Sequence, residues 1–302
     1  MVAVLAGGTG GAKLARGMLD VVGGEELAVI ANTADDIEVY GAHVSPDPDL
    51  IAYALADVLD ERGYGIAGDT WAVMDALAAA GRETWFRLGD RDLALCLLRT
   101  ELMHDGARLT EAHAQVVAGL GLRARVLPMA DEPVRTQVRA NGRVRPFQEF
   151  MILEEAKGPV EGVELCGVEA ARPTPEVLDA VAAAEAIVVG PSNPVISIGP
   201  ILAVPEMRDA LIDARAPVVA LSPFVGGRAV KGPTEAFCAQ AGIAPSAQGI
   251  AEAYAGVIDG LVADEPVAGT SALGLDTLMD SPGTRERVAA ATLDFARSLA
   301  PR

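Results

Sequence analysis

Short apolar runs rich in β-branched residues recur toward both ends of the chain: VAVLA at 2–6, LAVIAN at 27–32, AIVVG at 186–190, PVVALS at 217–222 and IDGLV at 258–262. Unbroken apolar runs of this length suit strands covered on both faces. Between them lie stretches of helical period, such as AKLARGMLDVV directly after the first run. The alternation predicts an α/β fold, a Rossmann-like, mostly parallel sheet flanked by helices. The middle reads differently. From about 49 to 122 the pattern is almost wholly helical, through DLIAYALADVL, DTWAVMDALAAAG, RDLALCLLRTELM and TEAHAQVVAGL. VRTQVRANGRVRPFQEFMI follows, and its Asn141-Gly142 between alternating residues predicts a type I′ hairpin. The expected organisation is a nucleotide-binding core over 1–48 and 160–302, with a helical and hairpin insertion over 49–159 capping a cleft. A helix near 284–299 reads as a packing element.

Composition narrows the function. A chain of 302 residues, 51% of them hydrophobic, buries an enzyme-sized core. Its 24 basic and 42 acidic residues leave a net charge of −18, which argues against nucleic acid or an anionic membrane as the main partner. A phosphorylated ligand then needs local cations or a metal. Cys96, Cys166 and Cys238 are far apart and form no CxxC pair, so a reduced compartment is expected. With no basic leader ahead of the first strand and no apolar stretch of bilayer length, the expectation is a cytoplasmic protein.

The first strand breaks into GGTGGAK, which places Gly7, Gly8, Gly10, Gly11 and Lys13 at the start of a helix. A dinucleotide fingerprint needs a third glycine where Lys13 stands and an acidic residue where the second strand ends at Asn32. A Walker A loop needs Gly-Lys-Ser/Thr where Ala12, Lys13 and Leu14 stand. Common to both is a glycine turn at a helix N-terminus beside a cation, a place for phosphate. The alternative is a tight strand-to-helix turn.

NTADDIEVYGAHVSPDPD follows the second strand and gathers Asp35, Asp36, Asp47 and Asp49 with His43. Mg²⁺ uses one or two carboxylates with substrate phosphate oxygens. Turn and cap chemistry is the other reading. Both tryptophans, Trp71 and Trp85, fall near Asp69, Thr70, Asp90, Arg91 and Asp92, a set suited to stacking a flat heteroaromatic and reading its polar edge. Later loops offer Ser192 and Asn193, then Gly226, Gly227, Arg228 and Lys231, a second glycine and cation loop. The histidines are too few and misplaced for a nucleophilic triad.

Taken together, AGGTGGAKLARG, NTADD, SPDPD, TWAVMDAL, WFRLGDRDLA, EPVRTQV, GPSNPVISIGPIL and SPFVGGRAVKGP make the chain resemble the 2-phospho-L-lactate transferase family (CofD/FbiA) of deazaflavin coenzyme biosynthesis over nearly its whole length. The resemblance implies transfer of a phosphorylated three-carbon acid, 2-phospholactate or phosphoenolpyruvate, from its GMP diphosphate adduct to the terminal ribityl hydroxyl of the deazaflavin Fo, giving coenzyme F(420)-0 or its dehydro form and GMP. It also implies that Gly8, Gly10, Gly11, Lys13, Asn32, Ser192, Asn193 and the Gly226 to Lys231 loop hold the guanylyl donor. Asp36, Asp47 and Asp49 would hold Mg²⁺, with Asp36 or Asp49 catalytic, and Thr70, Trp71, Asp90, Arg91 and Asp92 would hold Fo. The alternative is a nucleotide-sensing regulator on the same scaffold, against which the WFRLGDRD block speaks. A homodimer is the default assembly.

Overall fold

The computed structural model describes residues 1–230 and 232–300. Seven parallel strands form the central sheet: β1 (Val2–Ala6), β2 (Leu27–Ala31), β5 (Arg125–Pro128), β9 (Ala186–Val189), β10 (Val218–Leu221), β13 (Gly260–Ala263) and β14 (Ser271–Gly274). Their spatial order is β14-β13-β10-β9-β1-β2-β5. The register explains the unbroken apolar runs: in β1, Ala3 and Leu5 enter the core on one face while Val2, Val4 and Ala6 enter the core on the other. From β1 the chain winds one way to β2 and the other way to β9, so loops leaving β1 and β9 diverge and open a crevice at the strands' carboxyl ends.

That crevice is covered by shorter elements. After β2 come the hairpin β3 (Ile37–Val39) and β4 (Ala42–Val44), and a three-stranded antiparallel sheet of β6 (Arg135–Ala140), β7 (Arg143–Pro146) and β8 (Val160–Cys166) lies further along. Asn141 and Gly142 have φ of 51° and 68°, the left-handed pair that a type I′ turn requires between β6 and β7. Beyond β10, β11 (Phe224–Val225) and β12 (Arg228–Ala229) make a further hairpin. The helices around the cleft are α1 (Gly8–Val22), α2 (Pro46–Leu55), α3 (Ala72–Ala79), α4 (Asp90–His104), α5 (Leu109–Gly119) and α6 (Phe147–Ile152).

The stretch over 49–159 is not one continuous insertion. Leu50, Ile51 and Leu55 of α2 pack into the core against α1, and Arg125–Pro128 pairs with β2 as the edge of the central sheet. The part outside the core layers runs from the end of α2 through α4, and again from β6 to β8. Among the described residues no helix is long and apolar enough to cross a membrane.

Candidate active site

A cleft of about 1050 Å³ opens at the crevice. One wall is the first turn of α1, a second is the carboxylate-bearing start of α2 with α4, and a third is α6 with its apolar Phe147, Met151 and Ile152.

The glycine turn is tighter than an open cradle. Helix α1 begins at Gly8, so three of the four glycines serve close packing of protein on protein. A Cβ at Gly7 would lie 2.6 Å from Asp47 Oδ2, one at Gly10 would lie 2.2 Å from the Pro191 carbonyl, and one at Gly11 would lie 2.6 Å from Ser192 Oγ. Only Gly8 meets nothing nearer than 4.0 Å, and its φ is +60°. The loops of β1 and β9 are stitched together where Gly7 N–H donates to Ser192 Oγ at 3.2 Å. Lys13 lines the cleft one turn along α1.

The four carboxylates after β2 separate onto two sides. Asp35, Asp47 and Asp49 line the cleft. Asp47 accepts from Gly8 N–H at 2.7 Å and from Asn32 Nδ2 at 2.9 Å, so a carboxylate already sits at the positive end of α1. Burial nevertheless pushes the Asp47 carboxyl up to about 6, and burial together with the facing Asp47 drives Asp35 well above the ordinary carboxylate range. Two buried acids repelling each other across a cleft form an electrostatic demand for a cation. Asp36 is on the other side: it accepts from Ser45 Oγ at 2.8 Å and lies 3.0 Å from His43 Nε2, facing a separate cavity of about 200 Å³. Burial opposes a charged His43, but Asp36 and Glu38 at its two ring nitrogens outweigh it and raise its pKa. The set Asp36, Asp47 and Asp49 expected to share a metal is thus divided, with Asp36 held by Ser45 and His43 away from the cleft that Asp47 and Asp49 line.

Asp49 is engaged by a residue that the sequence did not single out. Arg99, fully buried on α4, donates from Nη1 to Asp49 Oδ1 and from Nη2 to Oδ2, each at 2.7 Å, and two further donors reach the His43 carbonyl. Asp49, Asp92 and Cys96 are the group whose ligating atoms lie within 4.8 Å of one another among the described residues. The guanidinium there already supplies the positive charge, so Asp35 and Asp47 suit a metal better. Burial, then the neighbouring Asp49 charge, pushes Asp92 up to about 6, and Tyr53 donates to it at 2.7 Å.

The remaining expected residues divide. Trp71 lines the cleft, but the guanidinium carbons of Arg62 and Arg87 lie 5.3 and 4.9 Å from its ring centroid. A flat ligand stacks there in exchange for an arginine, or on one. Trp85 packs edge-on against Phe86 at 5.6 Å in a small core under the helices and does not line the cleft. Asp90 caps α3, accepting from Ala72 and Val73 N–H at 3.0 Å and from Thr70 Oγ1 at 2.6 Å. Asp69 caps α4 through the amides of Arg91 and Asp92, and Gly89 admits it: a Cβ there would lie 2.2 Å from Asp69 Oδ2. Thr70, Asp90 and Arg91 thus shape the wall without lining it. Asn32 is wholly buried behind Asp47. Ser192 and Asn193 line the cleft. Gly226 and Gly227, with φ of 59° and 72°, form the tight turn between β11 and β12, tethered where Gly226 N–H donates to Asp264. Arg228 is exposed outside the cleft lining, and Lys231 lies outside the described residues.

Residues 2–278 match the family described as 2-phospho-L-lactate transferase CofD. The chain is 39% identical to a 2-phospho-L-lactate transferase of Methanosarcina mazei over 87% of this chain and 86% of the relative. It is likewise 39% identical to a phosphoenolpyruvate transferase of Kitasatospora aureofaciens, over 91% of this chain and 89% of the relative. A solved structure from Bacillus halodurans, described as a member of the UPF0052 family, superposes with a TM-score of 0.62 at 17% identity, covering 97% of this chain and 98% of that one, which bears on the fold alone. With the family match spanning all of the cleft-forming elements, the chain belongs to the CofD family of 2-phospho-L-lactate transferases.

Proposed function

We propose that this enzyme transfers a phosphorylated three-carbon acid from a guanylyl diphosphate donor to the ribityl hydroxyl of the deazaflavin Fo. The observation that carries the reading is the two-sided cleft of about 1050 Å³: a helix N-terminus with Lys13 on one side, a carboxylate and aromatic wall on the other. Pockets that hold one drug-sized ligand run about 300–1,000 Å³, so this cleft is at the top of that range, as a site that brings two substrates together requires. A regulator that only senses a nucleotide has no use for the second wall.

In the reaction, the ribityl oxygen bonds to the phosphorus that carries the three-carbon acid. The bond from that phosphorus to the oxygen bridging it to GMP breaks, GMP leaves with the electron pair, and the hydroxyl proton passes to a carboxylate or to water. Such transfers need positioning and charge neutralisation more than covalent catalysis. Lys13 and the first-turn amides of α1 would hold the diphosphate. Asp35 and Asp47 would hold Mg²⁺, which when bound supplies positive charge to the phosphate oxygens. Asp92, at about 6, would accept the hydroxyl proton. Incubation with Fo and either the phospholactyl or the phosphoenolpyruvyl guanylyl donor in Mg²⁺, read by mass spectrometry, tests this. A product with the mass of Fo plus donor less that of GMP, together with free GMP, is expected; unchanged Fo with both donors would sink the proposal.

A further inference from the structure

Among the described residues, two polar groups in the cleft have no hydrogen-bond partner. Thr277 is 3% exposed and lines the cleft, yet its hydroxyl makes no hydrogen bond. Asn193 Oδ1 accepts from the amides of Val195 and Ile196 at 2.9 and 3.2 Å, which fixes the side chain and leaves its buried Nδ2 unpaired. A buried donor or acceptor without a protein partner is answered by water, an ion or a ligand, and of the groups in that state these two are the ones that line the cleft, where a ligand enters.

The position of Thr277 follows from the segment between β14 and the C-terminal helix Pro282–Ser298. That helix lies so close to α1 that a Cβ at Gly17 would stand 2.4 Å from the Arg285 carbonyl. Met279 belongs to the same apolar core as Ala12 and Leu14 of α1. Thr277 is therefore held over α1, sharing the cleft with Gly10 and Lys13 on the side of the sheet where β14 lies. Trp71, at the start of α3, and Asp92, on α4, belong instead to the outer helices that follow α2.

We propose that the Thr277 hydroxyl binds the nucleoside end of the donor, opposite Asn193. The inference rests on the transferase reading above. The phosphates have the cations and helix amides, whereas ribose hydroxyls and a base edge are neutral groups that match a hydroxyl, which donates or accepts, and an amide NH₂, which donates.

The test uses Thr277→Val and Thr277→Ser, with calorimetric titration of GDP and of Fo and thermal melting of the free protein. Thr277→Val is expected to weaken GDP roughly 3- to 12-fold, the worth of one hydrogen bond, and leave Fo affinity unchanged. Thr277→Ser is expected to bind GDP within about twofold of wild type, since the hydroxyl remains. The free Thr277→Val protein should melt at or above the wild-type temperature, because a methyl replaces a hydroxyl that bonds nothing. Wild-type GDP affinity in Thr277→Val, or a lowered melting temperature, overturns the assignment. Wild-type protein that binds Fo but not GDP overturns the guanylyl donor itself, and the role of Thr277 with it.

Discussion

Arg99 and Asp49 form a two-point ion pair, both N···O distances 2.7 Å, with the arginine wholly buried and the aspartate facing the cleft. The pair joins α4 to α2, and Arg99 also reaches His113 Nδ1 at 3.3 Å on α5. It therefore locks the outer helices to the core at the floor of the cleft. Breaking a buried pair from one side leaves an uncompensated charge, which costs about 3–5 kcal/mol. Arg99→Met should lose that much stability in urea unfolding. Arg99→Met with Asp49→Asn should lose less, since no orphan charge remains. A single variant within about 1 kcal/mol of wild type would mean the pair contributes little.

The two tryptophans should behave differently. Trp71 lines the cleft beneath Arg62 and Arg87, while Trp85 packs against Phe86 away from it. Trp71→Ala is expected to weaken Fo about 5- to 150-fold, the equivalent of roughly 1–3 kcal/mol, with a small effect on melting. Trp85→Ala should instead leave Fo affinity unchanged while lowering stability by about 1–2 kcal/mol, less than removal of a fully buried aromatic, since Trp85 is half-buried. Equal Fo affinities in both variants and the wild type would move the flat ligand elsewhere.

The central strands were legible because a strand buried on both faces needs an unbroken apolar run, and the Asn141-Gly142 turn because few residues adopt its left-handed pair. Edge strand Arg125–Pro128 was missed because it begins on the exposed Arg125 and ends on a proline, whereas the equally short strands Ala186–Val189 and Val218–Leu221 are apolar and buried throughout. Asp35 and Asp36 were indistinguishable in sequence, since which of two neighbours faces the cleft depends on how the chain leaves β2. Arg99 reads as a solvent residue on a helix until Asp49 is brought to it from 50 positions away. Gly226-Gly227 suggested a phosphate loop because a hairpin turn makes the same demand for positive φ.

The glycine turn separates packing from binding. A side chain at Gly10 would strike the Pro191 carbonyl, so a larger residue there displaces the β9 loop as well as entering any phosphate space. Gly10→Ala should cost about 1–3 kcal/mol of stability, and any loss of GDP binding should accompany it. Gly8→Ala meets open space but strains a residue at φ +60°, costing roughly 1–2 kcal/mol. Its methyl should also crowd the diphosphate, so GDP affinity is expected to fall. Calorimetry beside urea unfolding resolves the two, and wild-type GDP binding by Gly8→Ala would remove the phosphates from this turn.

The last prediction concerns the cation at Asp35 and Asp47. Asp47 stands at about 6 in the folded protein against an ordinary 3.8, so folding favours its protonated form. Its contribution to stability is therefore fully present below 3.8 and is lost as pH rises through about 6, a loss of about 3 kcal/mol at neutral pH for a fully buried group. The facing Asp35 shifts the same way. Mg²⁺ binds ionised carboxylates and so competes with protons at these two sites. The rise in melting temperature on adding Mg²⁺ should be small at pH 5 and large at pH 7.5. Asp47→Asn and Asp35→Asn should each reduce it, and Asp36→Asn should leave it in place, because Asp36 faces the other cavity beside His43. A Mg²⁺ effect of equal size at both pH values, or one abolished by Asp36→Asn alone, would take the metal away from the cleft pair.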